Sequence, residues 1–200
     1  MPNRLIAALS LCLCTLSPLV AQQAETTPAS ADESITHKTA QLKTVLDQYV
    51  GRWVGTFEIL NLKQVIQTIE IEQQYWWDEV DGVTVLKGQA VMASMGDLST
   101  STSRTYIEKG KIYTETVQGT NEHFFQGIVS DEGKRISWIS VNDDSILGRK
   151  LTDSFSEDSE GQLLLVDGYE EVSIGGRVAM LTMRGKMRKA SSPTPVPSSN

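Results

Sequence analysis

Histidine is the side chain that most readily serves both acid–base catalysis and metal binding, and this chain has two, His37 and His123. Their separation matches no two-histidine zinc spacing, so the sequence predicts no metal site. His123, in the stretch NEHFFQG, is the sole candidate for an axial haem ligand. The competing interpretation, which we adopt, is a histidine at a strand end beside Phe124 or Phe125. The sequence therefore predicts no cofactor.

Nucleophilic and acid–base catalysis have no signature in the sequence. No Gly-x-Ser-x-Gly elbow is present, and a Ser-His-Asp set would have to recruit His123 without any local motif. Acid pairs such as Glu170 and Glu171 are adjacent, and neighbouring side chains of a strand point to opposite faces, so such a pair cannot share a proton. We predict no catalytic residues, with an enzyme that uses His123 at a barrel mouth as an alternative hypothesis.

The densest aromatic cluster, Tyr75-Trp76-Trp77, is a better candidate for a binding site. Strand alternation sends Tyr75 and Trp77 to one face, interpreted as inward, and Trp76 to the other. An outward tryptophan needs cover or a partner. The sequence leaves two interpretations of Trp76 open, cover by the helix that precedes the strands or a patch that binds a partner.

Polar residues on an otherwise apolar strand face are the second candidate. The segment 83–92 places Lys87 and Gln89 on the same face as Val83, Val85 and Val91. This mixture fits a barrel mouth or a wet lumen, although an outward face would show the same mixture. The predicted ligand-binding residues are therefore Tyr75, Trp77, Lys87 and Gln89.

One helix and about ten strands must position these residues. Between Thr36 and Tyr49, apolar residues recur at helical spacing as Leu42, Val45 and Leu46. After this helix, apolar and polar residues alternate in short runs that are separated by glycine-containing turns. The predicted strands lie near residues 52–60, 65–77, 83–92, 101–108, 111–118, 122–129, 134–141, 147–156, 162–173 and 176–187.

Short turns throughout the strand region favour an up-and-down meander. Such a sheet would expose two edges if it stayed flat, and closure removes them. A sandwich, the competing architecture, relies on longer crossovers between its sheets. We therefore predict an all-β antiparallel barrel of about eight to ten strands, a size whose interior side chains nearly fill or which holds one small ligand.

The start of the first strand, Gly51-Arg52-Trp53, and the basic last strand together resemble the lipocalin and wider calycin pattern. The resemblance implies that Trp53 closes one end of the barrel and that a late arginine, Arg184 or Arg188, packs across its ring. More narrowly, the segments LDQYVGRWVGTFEI, QQYWWDEVDGVTVLKGQ and VAMLTMRGKMRK resemble a group of uncharacterised secreted bacterial lipocalin-like barrels, over most of residues 42 to 189.

The two ends of the chain differ in composition from its middle. Residues 1–21 combine Arg4, an apolar run and a small-residue exit at Ala21, which predicts a cleaved secretory signal peptide. Residues 22–35 are predicted to be a disordered linker, 36–190 the folded domain and 191–200 a disordered Pro/Ser tail. Both cysteines, Cys12 and Cys14, lie in the signal segment, so the mature chain would have no thiol or disulfide.

The net charge of −7 disfavours binding to phosphate backbones, so we expect no nucleic-acid partner. No other apolar stretch approaches membrane length, so we expect no stable membrane insertion after signal cleavage. The first hypothesis is a secreted or periplasmic barrel that binds a small hydrophobic or amphipathic molecule without catalysis. The second is a cell-envelope protein-interaction module that acts through its outer surface.

Overall fold

The computed structural model describes residues 31–141, 149–174 and 177–191 of the chain. The predicted signal peptide, most of the predicted linker and nearly all of the predicted tail lie outside the described residues. Within the described ranges, no helix is long and apolar enough to cross a membrane.

One helix precedes ten strands. Helix α1 spans Ala31–Leu46 and continues into a single 3-10 turn, Asp47–Tyr49, before the first strand begins at Gly51. The strands are β1 (Gly51–Asn61), β2 (Gln64–Val80), β3 (Val83–Ser94), β4 (Asp97–Glu108), β5 (Lys111–Gln118), β6 (Asn121–Ser130), β7 (Arg135–Ser140), β8 (Arg149–Asp158), β9 (Gly161–Ile174) and β10 (Arg177–Lys189).

The ten strands form one closed barrel. Each strand pairs antiparallel with the next in the chain, and β1 pairs antiparallel with β10, from Trp53 opposite Lys189 to Leu60 opposite Thr182. The predicted fold class, an up-and-down antiparallel barrel with one N-terminal helix, is therefore confirmed. Closure at the β1–β10 seam gives each of the ten described strands two hydrogen-bonded neighbours, so none of them is a free sheet edge.

Helix α1 lies across one end of the barrel, beside the turns that join β4 to β5 and β6 to β7. Gln48 donates from Nε2 to the carbonyl oxygen of Gly133 at 2.8 Å, and Lys38 lies against Gly110. The described part of the helix already includes Ala31, ahead of the predicted start at residue 36, so the helix takes in residues 31–35 of the stretch predicted as linker.

Trp53 fills the same end of the barrel from inside. Its side chain is 1% exposed, and its indole N–H donates to the carbonyl oxygen of Tyr49 at 2.7 Å. Gly51 has a φ of +118°, a conformation that favours glycine, and a Cβ there would lie 2.8 Å from Cε of Lys189. Gly51 and Trp53 thus join the helical end to the first strand.

The cation over the Trp53 ring is Lys189, whose Nζ lies 5.5 Å from the ring centroid. Arg188 instead pairs with Asp158 and Glu160, each at 2.8 Å, and Arg184 is exposed opposite Glu58. Strand alternation explains the difference from the predicted arginine. Odd positions of β10, such as Met187 and Lys189, point toward Trp53, whereas even positions point outward.

Candidate ligand-binding cavity

The barrel encloses a cavity of about 420 Å³. All ten strands and the 3-10 turn contribute side chains to it. A volume in this range is typical of sites that hold a small molecule. The lining residues are Tyr49, Phe57, Ile59, Ile69, Ile71, Gln73, Tyr75, Leu86, Met92, Ser103, Thr105, Thr114, Thr116, Gln118, Phe125, Trp138, Arg149, Leu151, Asp153, Leu164, Val166, Glu170 and Met183.

The cavity wall has an apolar side and a polar side. Strands β1, β2 and β3 with β9 and β10 supply mainly aliphatic and aromatic groups, such as Ile71 and Leu164. Strands β4 and β5 supply hydroxyl and amide groups, among which the Thr105 and Thr114 hydroxyls hydrogen bond to each other at 2.8 Å. The cavity can therefore hold an apolar body and offer polar contacts along one side.

A buried carboxylate lies at the end of the cavity nearest the helix, which we call the floor. Asp153 of β8 accepts a hydrogen bond at Oδ2 from the Tyr49 hydroxyl and another at the same oxygen from the Trp138 indole N–H, the latter at 2.8 Å. Three elements that lie far apart in the chain thus meet at one oxygen. Tyr49 reaches this position because the 3-10 turn directs it into the barrel.

Burial governs the protonation of this group. Removal from water raises the pKa of Asp153 to about 6, while the hydrogen bonds from Tyr49 and Trp138 oppose that increase. Burial and the neighbouring Asp153 carboxylate likewise raise the pKa of Tyr49 well above its ordinary value and raise that of Tyr75. Both tyrosines therefore stay neutral, and Asp153 is the group of the floor that titrates near neutrality.

Aromatic rings surround Asp153. The Tyr49 ring lies 5.3 Å from that of Tyr75 and 4.8 Å from that of Phe155, centroid to centroid, the second in edge-to-face geometry. Such contacts fix the orientation of the rings beside the carboxylate. The floor is therefore a rigid aromatic pocket with a single acid.

Farther from the helix, the cavity contains an ion pair. Arg149 of β8 and Glu170 of β9 face each other across the strand pairing, and their side chains are largely buried. Because the pair is charge-balanced, it adds polarity to this part of the cavity without a net charge.

Of the four predicted ligand-binding residues, the structure places Tyr75 on the cavity. Trp77 lies at the helix-covered end, where its indole N–H donates to Asp47 Oδ1 at 2.7 Å and Lys43 Nζ lies 4.2 Å from its ring centroid. Lys87 forms an ion pair with Asp78 at 2.7 Å. None of Trp77, Lys87 and Gln89 lines the cavity.

The register of β3 explains the position of Lys87 and Gln89. Leu86 and Met92 line the cavity, so the even-numbered face of this strand points inward. Trp76, directly opposite Lys87 in the β2–β3 pairing, is half-buried on the outer side of the barrel. Alternation showed which residues share a face, but not that the face with Gly88 and Ala90 is the inner one.

His123 is partly buried on β6, with its ring centroid 6.2 Å from that of Phe125. It adjoins a second cavity, which Arg149 and Glu170 also line. His37 lies on α1, where its Nε2 is 2.9 Å from Nε2 of Gln41. Among the residues that the structure describes, no group of three or more His, Cys, Asp or Glu side chains is placed to hold a metal ion.

Sequence reasoning missed Asp153, and a signal for it was present. In β8 the residues Leu151, Asp153 and Phe155 alternate with Thr152 and Ser154, which puts a carboxylate on an apolar strand face. Buried acids are rare unless they are paired or functional, so an acid at such a position is a candidate site residue. Its partners Tyr49 and Trp138 could not be read from the same pattern.

By fold, the chain is a closed ten-strand antiparallel β-barrel. No protein-family model matches it, and no curated protein matches it in sequence. Among solved structures it is similar to the S-type phycobiliprotein lyase CPES from Guillardia theta, with a TM-score of 0.51 and 7% sequence identity. The match covers 79% of this chain and 98% of the lyase chain. At this identity the likeness shows a shared fold.

Replacing Gly127 with alanine is expected to lower the free energy of unfolding by about 1–3 kcal/mol, the usual effect of overpacking. A Cβ at Gly127 would lie 2.7 Å from Cζ3 of Trp138, so the ring must shift and its hydrogen bond to Asp153 weakens. Urea unfolding at pH 7 measures the change. Ile128→Ala, at the neighbouring exposed position on the outer face, is the control. It should change the free energy of unfolding by about 0.5 kcal/mol or less. Equal stability of the two variants would contradict a tightly packed floor.

Proposed function

We propose that the protein is a non-catalytic lipocalin-like barrel that binds one small, largely apolar or amphipathic molecule in its central cavity. The observation that carries the proposal is the cavity of about 420 Å³ inside a closed ten-strand barrel, with a mainly apolar lining and a few polar groups. Apolar surface that a ligand removes from water contributes most of the binding free energy, and the polar groups orient the ligand.

Binding without chemical conversion is part of the proposal. Tyr49 and Trp138, two of the polar side chains of the floor, are both engaged in hydrogen bonds to Oδ2 of Asp153. The similar solved structure is, by its name, a phycobiliprotein lyase, so barrels of this shape also occur in proteins that handle a substrate. The proposal for this chain takes no ligand from the lyase, and the small hydrophobic ligand rests on the mainly apolar lining of the cavity.

The location is a separate part of the proposal. We infer export to the periplasm or the medium through cleavage after Ala21, from the basic residue, the apolar run and the small-residue exit of residues 1–21. Intact-mass measurement on fractionated cells that express the full chain should find a protein that begins at Gln22 outside the cytosol. Recovery of only the uncleaved chain in the cytosolic fraction would contradict export.

Native mass spectrometry of the purified mature chain tests the binding function. A bound small molecule should appear as an added mass that is lost at higher collision energy, and denaturing extraction should release an organic compound of the same mass. A chain that carries no compound and takes up none from a lipid extract of its host would count against the proposal.

A row of aromatic rings on the outer face favours a second candidate, the cell-envelope interaction module. The Tyr113 ring lies 5.8 Å from that of Tyr106 and 5.6 Å from that of Phe124, the latter pair stacked. The three rings are half-buried, and aromatic side chains on an outer surface are enriched at protein interfaces. Cross-linking in an envelope fraction tests this candidate by comparing the wild-type protein with Tyr113→Ser. The wild-type protein should capture a partner protein that the variant does not capture. Equal capture by both proteins would contradict a role for this surface.

A further inference from the structure

The Asp153 carboxylate has one oxygen that the protein leaves open. Asp153 is 9% exposed, and both of its hydrogen bonds, from Tyr49 and Trp138, end on Oδ2. Oδ1 receives no hydrogen bond from the described part of the chain, yet it is not among the fully enclosed polar atoms there. Asp153 lines the cavity, so the cavity is the space from which a ligand can reach Oδ1.

Among the described residues around this oxygen, none carries a positive charge that balances it. Tyr49 and Trp138 are neutral donors, and Tyr75 faces the carboxylate from β2 as a neutral phenol. Among the described residues that line the cavity, the cation is Arg149, which is paired with Glu170. A buried carboxylate without a counter-charge is costly, so a cation that enters the cavity would relieve that cost.

The same floor suits an aromatic cation. Tyr49, Tyr75, Phe125 and Trp138 line it, and aromatic faces attract both other rings and positive charge. The net charge of −7 also raises the local concentration of cations around the molecule.

We propose that the cavity selects a small organic amine, with an apolar and preferably aromatic body and one protonated nitrogen that donates to Oδ1 of Asp153. This inference rests on the proposed ligand-binding function and names the chemical class of the ligand. The apolar body lies against the aliphatic wall formed by residues such as Ile71 and Leu164, and the ammonium group lies at the floor.

Two probes of nearly equal shape test the inference, 2-(aminomethyl)naphthalene and 2-ethylnaphthalene. Isothermal titration at pH 8 should show the amine binding at least about tenfold more tightly than the hydrocarbon, since it forms a charge-assisted hydrogen bond. Because burial raises the pKa of Asp153 to about 6, the carboxyl takes up a proton at lower pH. The amine should therefore bind about tenfold more weakly at pH 5 than at pH 8, while the hydrocarbon keeps its affinity.

Two variants assign the effect to Asp153. Asp153→Asn keeps the shape and the acceptor for Tyr49 and Trp138 but removes the charge, so the preference for the amine should disappear while 2-ethylnaphthalene still binds. Asp167→Asn makes the same chemical change on the exposed outer face of β9 and should preserve the preference.

The outcomes separate the two proposals. If 2-ethylnaphthalene binds the wild-type protein and the amine binds no better, or if Asp153→Asn keeps the preference, the inference is overturned and the binding function stands. If neither probe binds wild-type protein, both proposals are overturned. A preference for the amine that both pH 5 and Asp153→Asn abolish would establish the inference.

Discussion

Replacing Trp53 with alanine is expected to lower the free energy of unfolding by about 3–5 kcal/mol, the range for loss of a large buried aromatic side chain. Trp53 is almost wholly buried, its ring lies 6.2 Å from that of Phe155, and its indole N–H satisfies the carbonyl oxygen of Tyr49. Alanine would leave a void at the helix-covered end and an unpaired carbonyl in the 3-10 turn. A loss of this size is a large share of the stability of an ordinary domain, about 5–15 kcal/mol.

Chemical denaturation at pH 7, followed by tryptophan fluorescence and by far-UV circular dichroism, measures this loss. Val54→Ala is the matched control, because Val54 is the next residue of β1, and its side chain is exposed on the outer face. The control should change the free energy of unfolding by about 0.5 kcal/mol or less. A Trp53→Ala protein as stable as Val54→Ala would refute the role of Trp53 as the packed end of the barrel.

The stability of the wild-type protein is expected to depend on Asp153 between pH 4 and pH 6. The pKa of Asp153 is about 6 in the folded chain against an ordinary value of 3.8. The folded state therefore holds a proton that the unfolded state has already released in this interval. This proton contributes to the free energy of unfolding fully below about pH 4, and the contribution is lost as pH rises through 6. Above pH 6 the free energy of unfolding no longer changes with this group. A pKa shift of this size corresponds to about 3 kcal/mol.

Asp153→Asn should remove this pH dependence. The asparagine carbonyl can accept the hydrogen bonds from Tyr49 and Trp138, and it cannot ionise, so the variant should gain about 3 kcal/mol relative to wild type between pH 4 and pH 7. Urea unfolding at several pH values measures the difference. Parallel stability curves for the two proteins over this interval would show that Asp153 is not held in a desolvated site.

Asp158→Asn is a control at a carboxyl whose pKa is shifted in the opposite direction to that of Asp153. Hydrogen bonds from Arg188 lower the pKa of the exposed Asp158 carboxyl to about 2. Its stabilising contribution is present above the ordinary pKa and is lost as pH falls toward 2. The variant should therefore keep the wild-type slope between pH 4 and pH 6 and differ from wild type in slope only at lower pH.

Local patterns in the sequence were sufficient to predict the architecture. Alternation in segments such as Ile69-x-Ile71 defines strands because side chains of a strand point to opposite faces. Short turns then restrict the strands to an up-and-down order, and the cost of exposed edges favours closure. The β1–β10 seam that the structure shows is the pairing that this reasoning requires.

The site depends on information that local patterns lack. Alternation groups Lys87 with Gln89, but only the register with β2 and β4 fixes which face of β3 is inside. Similarly, the hydrogen bond between Tyr49 and Asp153 joins residues that are 104 positions apart in the chain. It depends on the closure and shear of the whole barrel, so the local spacing of residues in the sequence cannot predict it. Lys189 replaces the expected arginine over Trp53 for the same reason, since register decides which basic residue points inward.

Blocking the cavity from within tests the central claim most directly. Thr116 of β5 lines the cavity, and its neighbour Val117 points to the outside of the same strand. Fluorescence titration with the apolar probe N-phenyl-1-naphthylamine compares wild type, Thr116→Trp and Val117→Trp at pH 7, after circular dichroism has shown all three to be folded. The account predicts at least about tenfold weaker binding to Thr116→Trp alone, because the added indole occupies ligand space that apolar contacts would otherwise use. Equal affinity of the two folded variants would contradict ligand binding inside the barrel.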